Sequence, residues 1–258
     1  MVQGVLAARP RTGCAKALTF SRRWISEPAR QRSLSVGLLG PPNVGKSTLM
    51  NALVGQKVSI ATSKAQTTRH ETLGIVTAGN TQLLFYDTPG ILHPTKMRRR
   101  MTREMSTSGL DTALGVDLVA VMVDATRPVR EQYNALFVLD RLDFHGIKPE
   151  QRVLVLNKVD GVRGGVKSPR LMLLALDISS QFRCMHTFPV SALHGRGTDD
   201  FRNHLIALAQ PRPWAYDASQ STDMNPQQFA EEIIREKLWQ NLNQVSHYPR
   251  SSRCIPGV

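Results

Sequence analysis

Cysteine is scarce in this chain of 258 residues. Only Cys14, Cys184 and Cys254 occur, far apart and with no C-x-x-C pair. That argues against a disulfide framework or a cysteine zinc site and makes a reducing compartment the simpler home. Long apolar runs are missing: none approaches the roughly 18 residues that a membrane-spanning helix needs. Internal repeats and low-complexity tracts are absent. Acidic residues are few, 20 against 33 Lys and Arg, so the formal net charge is +13. That balance points to polyanions, either nucleic acid or an anionic membrane surface. With 41% hydrophobic residues there is enough apolar material for a core. The length fits one full domain plus something smaller.

The basic excess is uneven. Arg9, Arg11, Lys16, Arg22, Arg23, Arg30 and Arg32 precede Ser33, with Glu27 the only acid among them. An Arg-rich, Ser-containing, acid-poor start, with Leu18, Phe20, Trp24 and Ile25 interspersed, reads as a mitochondrial transit peptide over residues 1–33. A disordered basic arm that touches RNA is the other reading.

The stretch that organises the rest is Gly40-Pro41-Pro42-Asn43-Val44-Gly45-Lys46-Ser47, followed by Thr48. It lies between a short apolar run, Val36 to Leu39, and a helix-like run, Thr48 to Val54. Strand, glycine-bounded loop and helix with the spacing G-x-x-x-x-G-K-[ST] form a phosphate-binding loop. The glycines let backbone N–H groups approach phosphate oxygens, and the helix N-terminus adds partial positive charge. Lys46 would reach the β- and γ-phosphates, and the Ser47 hydroxyl would bind Mg²⁺.

Beyond it, strands are predicted at Thr72–Thr77 and Leu83–Tyr86 about a turn at Ala78-Gly79-Asn80, and at Leu118–Val123, Val153–Leu156 and Phe188–Val190. Helical spacing is read at Met97–Ala113, Arg130–Phe144, Leu171–Ile178 and Thr198–Ala209, and a glycine-rich loop at Gly161–Lys167. The alternation predicts a three-layer α/β fold, a P-loop NTPase domain over residues 34–211 with a mostly parallel sheet and its motifs at the strand ends. Residues 212–224 read as a linker. Gln227 to Val245 reads as an amphipathic helix with Phe229, Ile233, Ile234, Leu238 and Leu242 on one side.

Asn157-Lys158-Val159-Asp160 names the base. A carboxylate at Asp160 can accept from the N1–H and N2–H₂ edge of guanine, whereas adenine would leave it unpaired. Asn157 would buttress the phosphate loop and the Lys158 stem would lie against the ring. Ser191-Ala192 would offer a backbone N–H to the guanine O6. Asp87-Thr88-Pro89-Gly90 follows a strand, as the acidic Mg²⁺ element should. Asp87 would hold Mg²⁺ through a water, and the Gly90 N–H would sense the γ-phosphate. In the polar loop before it, Thr67-Thr68-Arg69-His70, one threonine completes the Mg²⁺ shell, and Thr68 is preferred.

These motifs, with Ala65-Gln66-Thr67-Thr68-Arg69-His70, Asp87-Thr88-Pro89-Gly90-Ile91 and Glu231-Glu232-Ile233-Ile234-Arg235-Glu236-Lys237-Leu238, resemble the Era family of GTPases and, with the basic N-terminus, its mitochondrial members. The resemblance covers roughly residues 35 to 245. It implies GTP hydrolysis with GTP/GDP and Mg²⁺ as ligands. It also implies binding of small-subunit rRNA through a C-terminal KH domain, assistance to mitochondrial small ribosomal subunit assembly in the matrix, and peripheral association with the inner membrane. A monomer is expected. Ile91 stands where many GTPases carry a water-orienting glutamine. The resemblance implies that hydrolysis proceeds without it, that Asn43 helps hold a monovalent cation such as K⁺, and that Lys46, Thr68 and Asn43 carry catalysis.

One part of the pattern is missing. A KH domain grips nucleotides with a GXXG loop, and no such tetrapeptide follows Gln210. Residues 225–258 are therefore expected to hold only the first helix of an incomplete KH domain. The alternative function is then a GTP-binding isoform or fragment that has lost rRNA binding. A basic RNA-binding protein working through its N-terminal arm is a third reading, and an ATPase would require Asp160 to be incidental.

Overall fold

The computed structural model describes residues 31–59, 71–90, 109–128, 132–182, 186–225, 227–231, 233–234 and 237. Strand β1 (Arg32–Leu39) leads into helix α1 (Lys46–Val54). A hairpin follows, β2 (Thr72–Ala78) and β3 (Thr81–Asp87), turning at Gly79-Asn80 as expected. Then come β4 (Leu118–Asp124), α2 (Tyr133–Phe144), β5 (Arg152–Asn157), α3 (Pro169–Phe182), β6 (His186–Pro189), α4 (Thr198–Leu208) and the short β7 (Gln210–Pro211). The seven strands form one sheet in the order β2-β3-β1-β4-β5-β6, with β7 pairing β1. Strands β3, β1, β4, β5 and β6 run parallel, while β2 and β7 are antiparallel to their neighbours. The expected α/β fold with a mostly parallel sheet is what the chain adopts.

Period-two alternation builds both faces of the sheet from the same strands. Val119, Val121 and Val123 of β4, with Leu154 and Leu156 of β5, pack beneath Val138, Leu139 and Leu142 of α2 and Leu171, Leu174 and Ile178 of α3. Leu118, Ala120 and Met122, with Val153 and Val155, face the other way onto Leu49, Met50 and Leu53 of α1 and Phe201 and Leu205 of α4. Every residue of β4 and β5 is buried, so these two strands hold the layers together. Each buried Leu or Val side chain contributes about 1.5–3 kcal/mol.

Several elements differ from their expected lengths. Helix α3 runs past Leu171–Ile178 in both directions, from Pro169, a residue suited to the first helical position, to Phe182. The glycine-rich loop at Gly161–Lys167 is drawn into two short 3-10 turns, Val159–Gly161 and Gly165–Lys167. Of the helix expected at Met97–Ala113, the described part is helical over 109–115. Helix α2 begins at Tyr133, and residues 129–131 lie outside the described set.

The stretch read as a linker, 212–224, is laid against the sheet. Gln82, fully buried on β3, accepts from the Ala215 and Tyr216 N–H groups at 3.0 and 3.1 Å and donates to the Tyr216 carbonyl at 2.9 Å. The Ile75 N–H of edge strand β2 donates to the Ser221 carbonyl at 2.8 Å, which partly caps an otherwise open edge. Beyond it, Asn225 caps a helical turn by accepting from the Gln228 N–H at 2.8 Å. Further along, Ile233 and Ile234 are exposed, and Leu238 and Leu242 lie outside the described residues.

Asp117 secures the return of the chain to β1. Its carboxylate accepts from the Ser35 N–H at 2.9 Å and hydroxyl at 2.7 Å, and from both terminal nitrogens of Arg212 at 3.1 and 2.9 Å. Partial burial works to raise its pKa, but the hydrogen bonds from Arg212 and Ser35 outweigh it and hold the carboxyl below its usual range. A folded value below the unfolded one adds stability that is full above the unfolded pKa of about 3.9 and lost as the pH falls through the folded value. Asp117→Ala should therefore cost about 1–3 kcal/mol in urea unfolding at neutral pH. The gap to wild type should close in acid; a gap that stays constant down to the folded value would refute this account.

Candidate nucleotide-binding site

The first motif stands at the C-terminal end of β1, where β3 lies on one side and β4 on the other. That is a switch point of the sheet, the place where open α/β sheets bind ligands. Gly45 enters α1 in a left-handed conformation, φ 100°, with no side chain capping the helix and no acid in its first turn. The N-terminal N–H groups of α1 are thus left for an anion. Asn43 at the loop tip is also left-handed, φ 62°, a conformation that asparagine tolerates better than most residues.

Asn157 joins this loop to the base-recognition elements. It is 2% exposed; its Nδ2 donates to the Val44 carbonyl at 2.8 Å, and its Oδ1 accepts from the Ala192 N–H at 3.0 Å. A Cβ on Gly45 would stand 2.3 Å from Asn157 Nδ2, so only glycine fits there. The buttressing role read for Asn157 therefore has a geometry. The N–H expected to face the base is placed differently. Ser191 N–H donates to the Arg196 carbonyl and Ala192 N–H to Asn157, because a buried amide oxygen takes the nearest donor. Asp160 is oriented by the Ser191 hydroxyl, 2.5 Å from Oδ1, with His194 Nε2 4.0 Å from Oδ2. Lys158, itself at φ 66°, donates to Asp124 Oδ2 at 2.8 Å. Burial works to raise the Asp124 pKa, but bonds from Lys158 and Thr126 prevail and lower it. A cleft of about 720 Å³ opens beside Asp160, between Val162–Lys167 and Arg196–Gly197.

Beneath the loop sit two buried charges. Lys46 Nζ donates to the Gly40 and Pro41 carbonyls, both at 3.2 Å. Burial pushes its pKa down to about 8 against the opposing pull of Asp87. Burial in turn raises Asp87, while Lys46, Ser47 and Ser59 favour its charged form. The Asp87 Oδ2 accepts from Ser47 Oγ at 2.5 Å and Ser59 Oγ at 2.9 Å. Its Oδ1 is buried with no hydrogen-bond partner. An orphaned carboxylate oxygen beside a serine hydroxyl suits a hard divalent cation such as Mg²⁺, which takes oxygen ligands and keeps several waters. Gly90 closes the cradle, since a Cβ there would stand 2.6 Å from the Pro42 nitrogen.

The predicted residues Gly40, Pro41, Pro42, Asn43, Val44, Gly45, Lys46, Ser47, Thr48, Asp87, Gly90, Asn157, Lys158, Asp160, Ser191 and Ala192 are thus gathered on one sheet edge. Thr68, with Thr67, His70 and Ile91, lies outside the described residues. Motif spacing missed Ser59, Asn51, Asp124 and Gln132. Asn51 left a trace: it is four residues after Ser47, on the same side of α1. Gln132 is 3% exposed and donates to the Asp124 carbonyl at 2.7 Å.

The strand order, the phosphate loop and the two base loops joined through Asn157 define the class: the G domain of a P-loop GTPase. Residues 35–158 match the family model described as 50S ribosome-binding GTPase. The chain is 40% identical over 222 residues to a GTPase Era of Bradyrhizobium sp., covering 85% of this chain and 68% of that one. To the GTPase Era of Agrobacterium fabrum it is 39% identical over 219 residues, covering 84% and 65%. Among solved structures it resembles Era in complex with MgGDPNP and nucleotides 1506–1542 of 16S ribosomal RNA, with TM-score 0.69, 30% identity, and 80% and 67% of the two chains covered. It also resembles an Aquifex aeolicus Era variant bound to GDP·AlF4⁻, with TM-score 0.70, 29% identity, and 81% and 68% covered. The chain belongs to the Era family of GTPases, enzymes that hydrolyse GTP. It spans about two thirds of the length of these relatives.

Asp160→Asn should lower affinity for GTP and raise it for XTP, whose base keeps the N1–H donor but presents a carbonyl acceptor where guanine has its 2-amino group. Nucleotide competition measures this, and unchanged GTP affinity would refute the guanine assignment.

Proposed function

We propose that the chain is a Mg²⁺-dependent GTPase switch that assists assembly of the mitochondrial small ribosomal subunit through small-subunit rRNA. The observation that carries the nucleotide part is Asn157, which bonds the phosphate loop and the Ser191-Ala192 loop at once. In this reading Gly40 to Thr48 cradle the phosphates, and Ser47, Asp87 and Thr68 hold Mg²⁺. Asp160, oriented by the Ser191 hydroxyl, selects guanine with Lys158 beside the ring, and Asn157 holds the Ala192 loop in place. Mg²⁺ would neutralise phosphate charge and help position the phosphates. Lys46 does its part by charge: a pKa near 8 leaves it mostly protonated at neutral pH, and an anion beside it strengthens its hold on the proton.

The rRNA part is supported by the relative solved with nucleotides 1506–1542 of 16S ribosomal RNA, which shares 30% identity and aligns with 80% of this chain. The broader family description names the 50S particle and matches residues 35–158 only, so the longer alignment favours the small subunit. The basic, acid-poor residues 1–33 support a mitochondrial address, with action in the matrix and contact with the anionic inner-membrane surface. In this reading the chain acts as a monomer. Among the described residues no helix is long and apolar enough to cross a membrane.

A second reading keeps GTP binding without rRNA binding. Ultraviolet crosslinking of the tagged full chain in fractionated mitochondria separates the two. Enriched small-subunit rRNA in the matrix fraction supports the first; a matrix protein without rRNA leaves the second; a protein outside the mitochondria removes the organelle from both.

For catalysis we propose that Lys46, Thr68 and Asn43 act together, with K⁺ held near Asn43. Asn43 stands at the loop tip in a left-handed conformation. GTP hydrolysis should then be faster in K⁺ than in Na⁺ at matched ionic strength, and equal rates would discard the cation.

A further inference from the structure

Ser59 is outside every recognised motif, yet it is buried and its hydroxyl donates to Asp87 Oδ2 at 2.9 Å. Its position is imposed by one side chain. Asn51 Oδ1 accepts from the Val58 and Ser59 N–H groups at 2.8 and 3.0 Å, and Asn51 Nδ2 donates to the Ser59 carbonyl at 2.8 Å. An amide that satisfies three backbone groups of a loop holds that loop in one conformation. Among the described residues, the side-chain donors to Asp87 are Ser47 and Ser59, both on Oδ2. On the reading above, Ser47 is also a metal ligand: a lone pair of its oxygen would meet the ion while its O–H goes on donating to Asp87. Ser59 holds the same carboxylate oxygen from a position that has no ligand of its own to meet.

We infer that Ser59 is a positioning residue for the metal site. Its hydroxyl keeps Oδ2 occupied and aims the unpaired Oδ1 into the cradle, and Asn51 sets that hydroxyl in place. Partners behind a metal-binding carboxylate fix its orientation and tune its affinity. Asp87 is also the register partner of Thr72 across the hairpin, so its backbone is fixed by the sheet while Ser59 fixes its side chain.

The inference rests on Asp87 being the Mg²⁺ element, and the experiment tests the two separately. The full chain is loaded with fluorescent GDP, Mg²⁺ is titrated, and the midpoint at which GDP release slows is read. Ser59→Ala should raise that midpoint about 10–100-fold. Release in excess EDTA should change far less. Ser59→Thr keeps the hydroxyl and should move the midpoint back toward wild type, and Asn51→Ala should shift it in the same direction as Ser59→Ala. If Ser59→Ala does not fold, Asn51→Ala decides. A wild-type midpoint in Ser59→Ala, with the Mg²⁺ effect lost in Asp87→Asn, overturns the role of Ser59 and leaves the metal reading intact. A wild-type midpoint in Asp87→Asn overturns both. Release accelerated equally with and without Mg²⁺ in Ser59→Ala makes Ser59 merely structural and also overturns the proposal.

Discussion

Two bonds from one buried amide hold the site together. Asn157 closes β5, and its side chain spans from the Val44 carbonyl to the Ala192 N–H. The groups that would meet phosphate and the groups that would meet a base therefore keep a fixed separation. Removing either bond would leave a buried polar atom unpaired, at about 1–3 kcal/mol, and would uncouple the two ends of the ligand. Gly45 is the steric counterpart, since only a residue without a Cβ leaves room for that amide.

The sheet makes such economy workable. Strands β1, β4 and β5 are buried on both faces, and alternation sends neighbouring side chains to opposite cores. Their C-terminal ends are rigid because the layers on either side are well packed. Asp124, Asn157 and the first residues after β1 and β3 then open onto one edge within reach of one another. The chain after α4 strengthens this frame from behind, through the Arg212–Asp117 pair and the strap that ends at Ser221 on edge strand β2.

Against this stable frame the site stores an unfavourable arrangement. Lys46 and Asp87 are both buried, and burial disfavours the charged form of each. An unfolded chain would hold Lys46 near 10.4, so its ammonium costs stability at neutral pH, a cost relieved as the pH rises from about 8 toward that value. Buried ions of this kind are weak evidence of stabilisation and better evidence of a site built for charged ligands.

Much of this was legible in the chain itself. The motif from Gly40 to Ser47, the apolar runs at Leu118 and Val153 and the pair Asn157 and Asp160 specify fold class, strand ends and the base, because each depends on local spacing and residue chemistry. Element ends were less legible, as at α3, which starts at Pro169 and runs on to Phe182, past the apolar positions Leu171, Leu174 and Ile178 that mark it in the sequence. What only the tertiary structure decided are the contacts between residues distant in sequence. Ser59 meets Asp87, Asn157 takes the Ala192 N–H, and a stretch that composition marks as a linker lies bonded along the sheet. A hydrogen bond across 28 or 35 positions leaves no periodicity behind, since it depends on where two strands place their ends and not on any pattern within either one.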